Sequence, residues 1–153
     1  MATDEIFEKA LSFVLPIEGG YVNDPDDKGG ATNKGITQST YDSYLQGLGL
    51  PKKDVRNITD AEVKKICYSR YWLSANCHKM TDKFAVICFD TAVNMGVSRV
   101  KEFLNACQYT DIDGFFLARI KKYNSFARVK SQQKYLHGWL NRTFALRDFI
   151  YKM

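Results

Sequence analysis

One stretch restricts the fold more than any other: TDKFAVICFDTAVNM, residues 81–95. Its apolar side chains run nearly all the way round a helix, so no face is left for solvent. A helix of this kind belongs at the centre, with other elements packed around it. Thr81 or Asp82 supplies an N-cap and Gly96 a stop. Two polar residues, Asp90 and Asn94, are four apart and share one face. Polar groups on such a helix must be hydrogen-bonded or open onto a cleft.

The rest of the chain supplies the surrounding helices. Ile6, Ala10, Phe13, Val14 and Ile17 recur at three to four residues, giving a first helix with one buried face and Pro16 distorting its last turn. Thr37 reads as the N-cap of a helix through Tyr41, Tyr44 and Leu48, ended by Gly47 or Gly49 and Pro51. Thr59 and Glu62 form a capping box ahead of Val63, Ile66, Tyr68 and Trp72. A helix from about Ser98 to Cys107 follows, and Asp111 or Asp113 starts another through Phe116, Ile120, Tyr123 and Phe126. The last begins near Ser131 and runs through Tyr135, Trp139, Phe144 and Ile150. The expected class is all-α, with at most a minimal β hairpin in residues 19–37. At 153 residues the chain can bury a real core as one compact domain, or one core with an attached subregion. Charge interrupts every apolar stretch within a few residues, so no membrane span is expected.

Chemistry concentrates where the first helix ends. Glu18 closes IFEKALSFVLPIE and is followed at once by Gly19-Gly20-Tyr21. At such an apolar helix end, with glycines that let a ligand approach, a protein can keep a carboxylic acid protonated. A protonated acid is what a glycosidic bond needs as proton donor. The loop NDPDDKGGATNKGIT then offers Asp24, Asp26 and Asp27 as second carboxylates; the competing role for each is turn formation, for which DPDD is a strong signal. Thr32 and Thr37 are candidates to orient a water, Thr32 more for chemistry and Thr37 more for capping. Tyr21 is placed to stack on a sugar or bond near Glu18, with core filler as its alternative. Tyr71, Trp72 and Trp139 are candidate sugar platforms, each more often core. His78 and His137 have no partner spacing and receive no role.

The stretch FVLPIEGGYVNDPDDKGGATNKGIT resembles the opening of glycoside hydrolase family 108, the N-acetylmuramidases of phage endolysins and bacterial secretion systems. FDTAVNMG, Phe89 to Gly96, continues the resemblance, and the part ending in GWLNR, Gly138 to Arg142, is similar to the peptidoglycan-binding region that accompanies the family. The resemblance implies a lysozyme-like helical fold, residues 1–96 as catalytic region and 97–153 as a helical peptidoglycan-binding-like region packed on the same core. It implies cleavage of the β-1,4 bond between N-acetylmuramic acid and N-acetylglucosamine, with Glu18, the Glu of EGGY, as catalytic acid. Phage-type lysozymes place an Asp after a gap of eight residues and a Thr five residues further on. Glu18 to Asp27 keeps the first gap, but Asp27 to Thr32 leaves four; Asp26 keeps the second gap and shortens the first to seven. Asp27 is therefore the first choice for the second carboxylate, and Asp26 the alternative or a substrate-facing residue. Tyr21 and Asn94 join Asp26 as expected substrate contacts, Asn94 through a sugar acetamido group or, more simply, by bonding the glycine-rich loop. No cofactor or metal is expected.

Charge is uneven. Residues 1–60 carry 6 Lys or Arg against 10 Asp or Glu, and residues 61–153 carry 16 against 7. A basic back half is drawn to anionic envelope polymers. Nucleic acid is not an expected partner, because no helix interleaves a basic face with exposed aromatics. The expected partner is the peptidoglycan glycan strand, bound by a monomer without stable membrane insertion. MATDEIFEKA lacks the features of a signal peptide, so the expectation is synthesis in the cytoplasm and action on the cell wall after release through a holin pore or secretion channel. Cys67, Cys77, Cys88 and Cys107 show no CxxC spacing and are expected reduced and mostly buried. Two other readings stay open: a lytic transglycosylase, which needs a single Glu, and a non-catalytic wall-binding protein.

Overall fold

A computed structural model describes residues 1–26 and 29–153. Asp27, the first choice for a second carboxylate, lies outside the described residues. The regular structure of the described chain is helical, as the periodicity predicts, apart from one two-stranded hairpin and a bridge from Val22 to Thr32. Helix α1 spans Asp4–Glu18; strands β1, Thr32–Asn33, and β2, Ile36–Thr37, pair antiparallel; α2 spans Gln38–Gly47 and α3 Asp60–Ile66. Helices α4, Asp82–Met95, α5, Val97–Ala106, α6, Ile112–Phe126, and α7, Leu136–Tyr151, complete the order.

Helix α4 is the centre that its sequence demands. Ala85 through Ala92 are buried without interruption, and α1, α5 and α7 all pack on it. Phe7 of α1 meets Tyr68, Trp72 and Phe89 edge-on at 5.0, 5.3 and 5.5 Å, contacts worth about 1 kcal/mol each beyond area burial. Leu146 and Ile150 of α7 join the same core. Trp72 is thus core, and its candidacy as a sugar platform ends there.

Several local signals act as expected. The Thr37 hydroxyl accepts from the Thr40 amide at 3.2 Å and starts α2, and Thr59 with Glu62 forms the reciprocal capping box of α3. Thr81 and Asp111 hold cap positions, but their side chains make no cap hydrogen bond. The helix expected to run through Trp72 instead leaves α geometry at Ile66, and Cys67–Leu73 forms a wider π-type turn. Its buried positions, Cys67 and Trp72, are five apart, the step a π turn needs and a 3.6-residue period does not supply. The expected last helix also divides, with a tight 3₁₀ segment at Lys130–Tyr135 before α7. All four cysteines are buried and unpaired, and burial pushes the Cys67 and Cys77 thiols up to about 12. Among the described residues no helix is long and apolar enough to cross a membrane.

Candidate active site

Glu18 ends α1 with its side chain 18% exposed. The helix continues through Pro16, and Gly19, at φ 67°, closes it by donating to Leu15 O. The hairpin then folds back over the carboxylate. Its two central residues, Lys34 and Gly35, have φ of 53° and 81°, as a primed two-residue turn requires. A Cβ on Gly35 would stand 2.9 Å from Glu18 Cγ, so the turn backbone rests directly on the Glu18 side chain. Asn33 pins the hairpin by donating to Val55 O and Arg56 O, both at 3.1 Å.

Behind Glu18 the surroundings are charged, where the sequence suggested an apolar helix end. Arg142 of α7 donates through Nη1 to Glu18 Oε1, and through Nε and Nη2 to Asp90 Oδ1 at 3.0 and 2.9 Å. The other oxygen of Asp90 pairs with Arg119 of α6 at 2.7 Å, both side chains being fully buried. Burial alone would raise the Asp90 carboxyl, but Arg142 and Arg119 outweigh it and hold the group below its ordinary value. For Arg142 burial opposes the charge, while Asp90 and Glu18 keep it above the ordinary arginine range. Two carboxylates and two guanidinium groups thus interlock α1, α4, α6 and α7.

A second chain leads to the cleft. Arg119 Nε donates to the Tyr123 hydroxyl at 3.1 Å, and that hydroxyl donates to Asn94 Oδ1. Asn94 therefore bonds Tyr123 of α6 rather than the glycine-rich loop. The cleft in front of Glu18 has a volume of about 360 Å³, and its wall includes Thr32, Thr37, Asn94, Gln132, Tyr135 and Trp139. Trp139 stacks on Tyr123 at 5.1 Å with 16° between the rings, leaving an aromatic wall next to Asn94. Of the three proposed platforms it is the one on the cleft.

The remaining expected residues sit elsewhere. Tyr21 carries the Arg56 guanidinium over its ring at 4.5 Å and is not part of the cleft wall. Asp26 Oδ2 pairs with Lys134 at 2.7 Å, and Asp26 O accepts from Gln132 at 3.0 Å. Asp24 accepts from the Tyr135 hydroxyl at 2.5 Å and from the Asp26 amide at 2.9 Å, which together hold its carboxyl below the usual value. These bonds tie the acidic loop to Lys130–Tyr135. Among the described residues, Glu18 is the one carboxylate in the cleft wall, and no group of three His, Cys, Asp or Glu converges as a metal site.

A family model described as Glycosyl hydrolase 108 matches residues 11–96. The chain belongs to glycosyl hydrolase family 108. It is a glycoside hydrolase, and at the level of the family its activity is directed at peptidoglycan. The matched span holds Glu18, the acidic loop, the hairpin and α4. Arg119, Tyr135, Trp139 and Arg142 lie beyond it, so much of the candidate site comes from the last third of the chain. A solved structure, that of Brucella abortus SagA, shares the fold with a TM-score of 0.79 at 22% identity, over 98% of this chain and 96% of that one. No curated protein matches.

Sequence reasoning passed over Arg119, Arg142, Tyr123 and Tyr135. A signal for the first was present: Arg119 falls on the apolar stripe of α6 with Phe115, Phe116 and Tyr123, all buried. A cation on a buried stripe and an aspartate on a buried helix call for each other.

Proposed function

We propose that the protein cleaves the β-1,4 bond between N-acetylmuramic acid and N-acetylglucosamine in peptidoglycan, with Glu18 as general acid. The observation that carries this reading is the position of Glu18, among the described residues the one carboxylate in the wall of a sugar-sized cleft, in a chain of this family. Arg142 engages Oε1, and Oε2 has no protein hydrogen bond among the described residues. In its acid form Glu18 carries the proton on Oε2, against the pull of Arg142 toward ionisation, and Oε2 gives it to the leaving glycosidic oxygen as the C–O bond breaks. Charge developing on Glu18 meets the fixed Arg142 cation, which costs no reorganisation at that moment. Thr32 and Thr37, on the same wall, are candidates to hold the water that completes hydrolysis.

Glu18→Gln keeps the shape and removes the transferable proton. General acid catalysis contributes on the order of 100- to 10,000-fold, so clearing of purified murein should fall at least that far in a variant that a thermal melt shows to be folded at the assay temperature, although Arg142 loses one charged partner. Clearing at the wild-type rate would end the assignment. The lytic transglycosylase reading keeps support from Asp24 and Asp26, both bonded to the 130–135 segment. Mass spectrometry of the released muropeptides separates the two: reducing ends for hydrolysis, 1,6-anhydro ends for transglycosylation.

A further inference from the structure

The chain of hydrogen bonds that reaches Asn94 has a fixed direction. It starts at Arg119, a guanidinium that only donates, fully buried and paired with Asp90. The Tyr123 hydroxyl accepts from Arg119 Nε at 3.1 Å, so its own proton is free to go to Asn94 Oδ1. Burial raises the Tyr123 hydroxyl above its ordinary value, so this proton is in place at every working pH. Asn94 Oδ1 must accept, and the amide cannot turn over without setting its NH₂ against the tyrosine O–H. The Nδ2 group is then the end left over, and it makes no hydrogen bond to any described residue. Asn94 stands in the cleft wall with Glu18 and Trp139.

We infer that Asn94 Nδ2 is a pre-oriented donor for the 2-acetamido carbonyl of a sugar bound beside Glu18, and that it makes the enzyme selective for N-acetylated over de-N-acetylated glycan. The inference rests on the muramidase reading above. A carbonyl oxygen completes the amide's hydrogen bonding. The ammonium group of a de-N-acetylated sugar meets it donor to donor, and a polar group left unpaired in a cleft costs free energy. Trp139, packed against the rings of Tyr123, Phe126 and Tyr135, stands in the same wall. Arg119 and Tyr123 act here as positioning residues; Asn94 is the group that touches substrate.

The test compares kcat/KM on purified murein with that on the same murein after chemical de-N-acetylation, for wild type, Asn94→Ala and Tyr123→Phe. Thermal melts verify that each variant is folded. Wild type is expected to prefer the acetylated glycan on the order of tenfold or more, the effect of about one hydrogen bond made or lost. Asn94→Ala should bring that preference to within about twofold, and Tyr123→Phe, which frees the amide to turn over, should narrow it by an intermediate amount. A wild type indifferent to acetylation overturns the inference, as does an Asn94→Ala protein that loses rate equally on both glycans. If Asn94→Ala does not fold, Tyr123→Phe decides alone: an unchanged preference overturns the inference. A wild type that releases nothing from acetylated murein overturns the muramidase reading itself, and the inference with it.

Discussion

Asp90 is the residue on which the charge arrangement turns, because it is fully buried and shared between Arg119 and Arg142. Removing one member of such a buried network leaves an uncompensated charge, at a typical cost of about 3–5 kcal/mol. Asp90→Asn should therefore destabilise by an amount in that range, and because Arg142 also holds Glu18 Oε1, it should lower murein hydrolysis as well. The pH dependence has a definite sign. The folded Asp90 carboxyl lies below its ordinary value of 3.8, so its stabilising contribution is complete above that value and is lost as pH falls through the folded one. Wild type should lose stability below about pH 4, with a steeper slope than Asp90→Asn, measured as urea unfolding free energy across that range. Equal slopes would mean that Asp90 does not titrate against its partners. The sequence showed half of this. A polar residue on an all-apolar helix announced a need for partners, and the partners are arginines on α6 and α7 that no spacing rule connects to residue 90.

The hairpin is the element that sets the carboxylate. Gly35 combines a left-handed backbone, φ 81°, with the absence of a side chain where a Cβ would lie 2.9 Å from Glu18 Cγ and 3.2 Å from its Cδ. Either feature alone would favour glycine; together they make Gly35→Ala a substitution that must displace Glu18 or open the turn. Backbone strain of about 1–2 kcal/mol is expected, a modest fall in melting temperature. Activity should fall by more than stability does, since a 1 Å misplacement of a catalytic group can cost on the order of 100-fold. Murein clearing by Gly35→Ala at the wild-type rate would show that the contact is not a positioning one. At this scale the helix count, the capping box and the Thr37 cap were legible, because periodicity and capping are local. The π turn at Cys67–Leu73 and the 3₁₀ segment at Lys130–Tyr135 were not. Both depart from the 3.6-residue period on which such reading depends, and what holds the second is tertiary: Asp24 and Asp26, more than a hundred residues away.

Across the whole molecule, the boundary of the family match and the boundary of the candidate site do not coincide. The match ends at residue 96, but Arg119 and Arg142, the two cations that balance Asp90, both lie beyond it. So do Trp139 and Tyr135 of the cleft wall. Packing runs the same way: α5 and α7 cover faces of α4, and Phe103, Phe115, Leu146 and Ile150 belong to one continuous core with Phe7 and Phe89. A chain of residues 1–96 would expose those faces of an all-apolar helix and leave Asp90 charged without either guanidinium, an arrangement with no inexpensive remedy in an apolar setting. The expected outcome is a fragment with no cooperative thermal transition by circular dichroism and no clearing of murein. That outcome would make residues 97–153 part of the candidate site itself, whatever affinity their positive charge adds for an anionic wall. A 1–96 fragment that melts cooperatively and hydrolyses murein would refute this, and would show that the catalytic region stands without the region packed on its core.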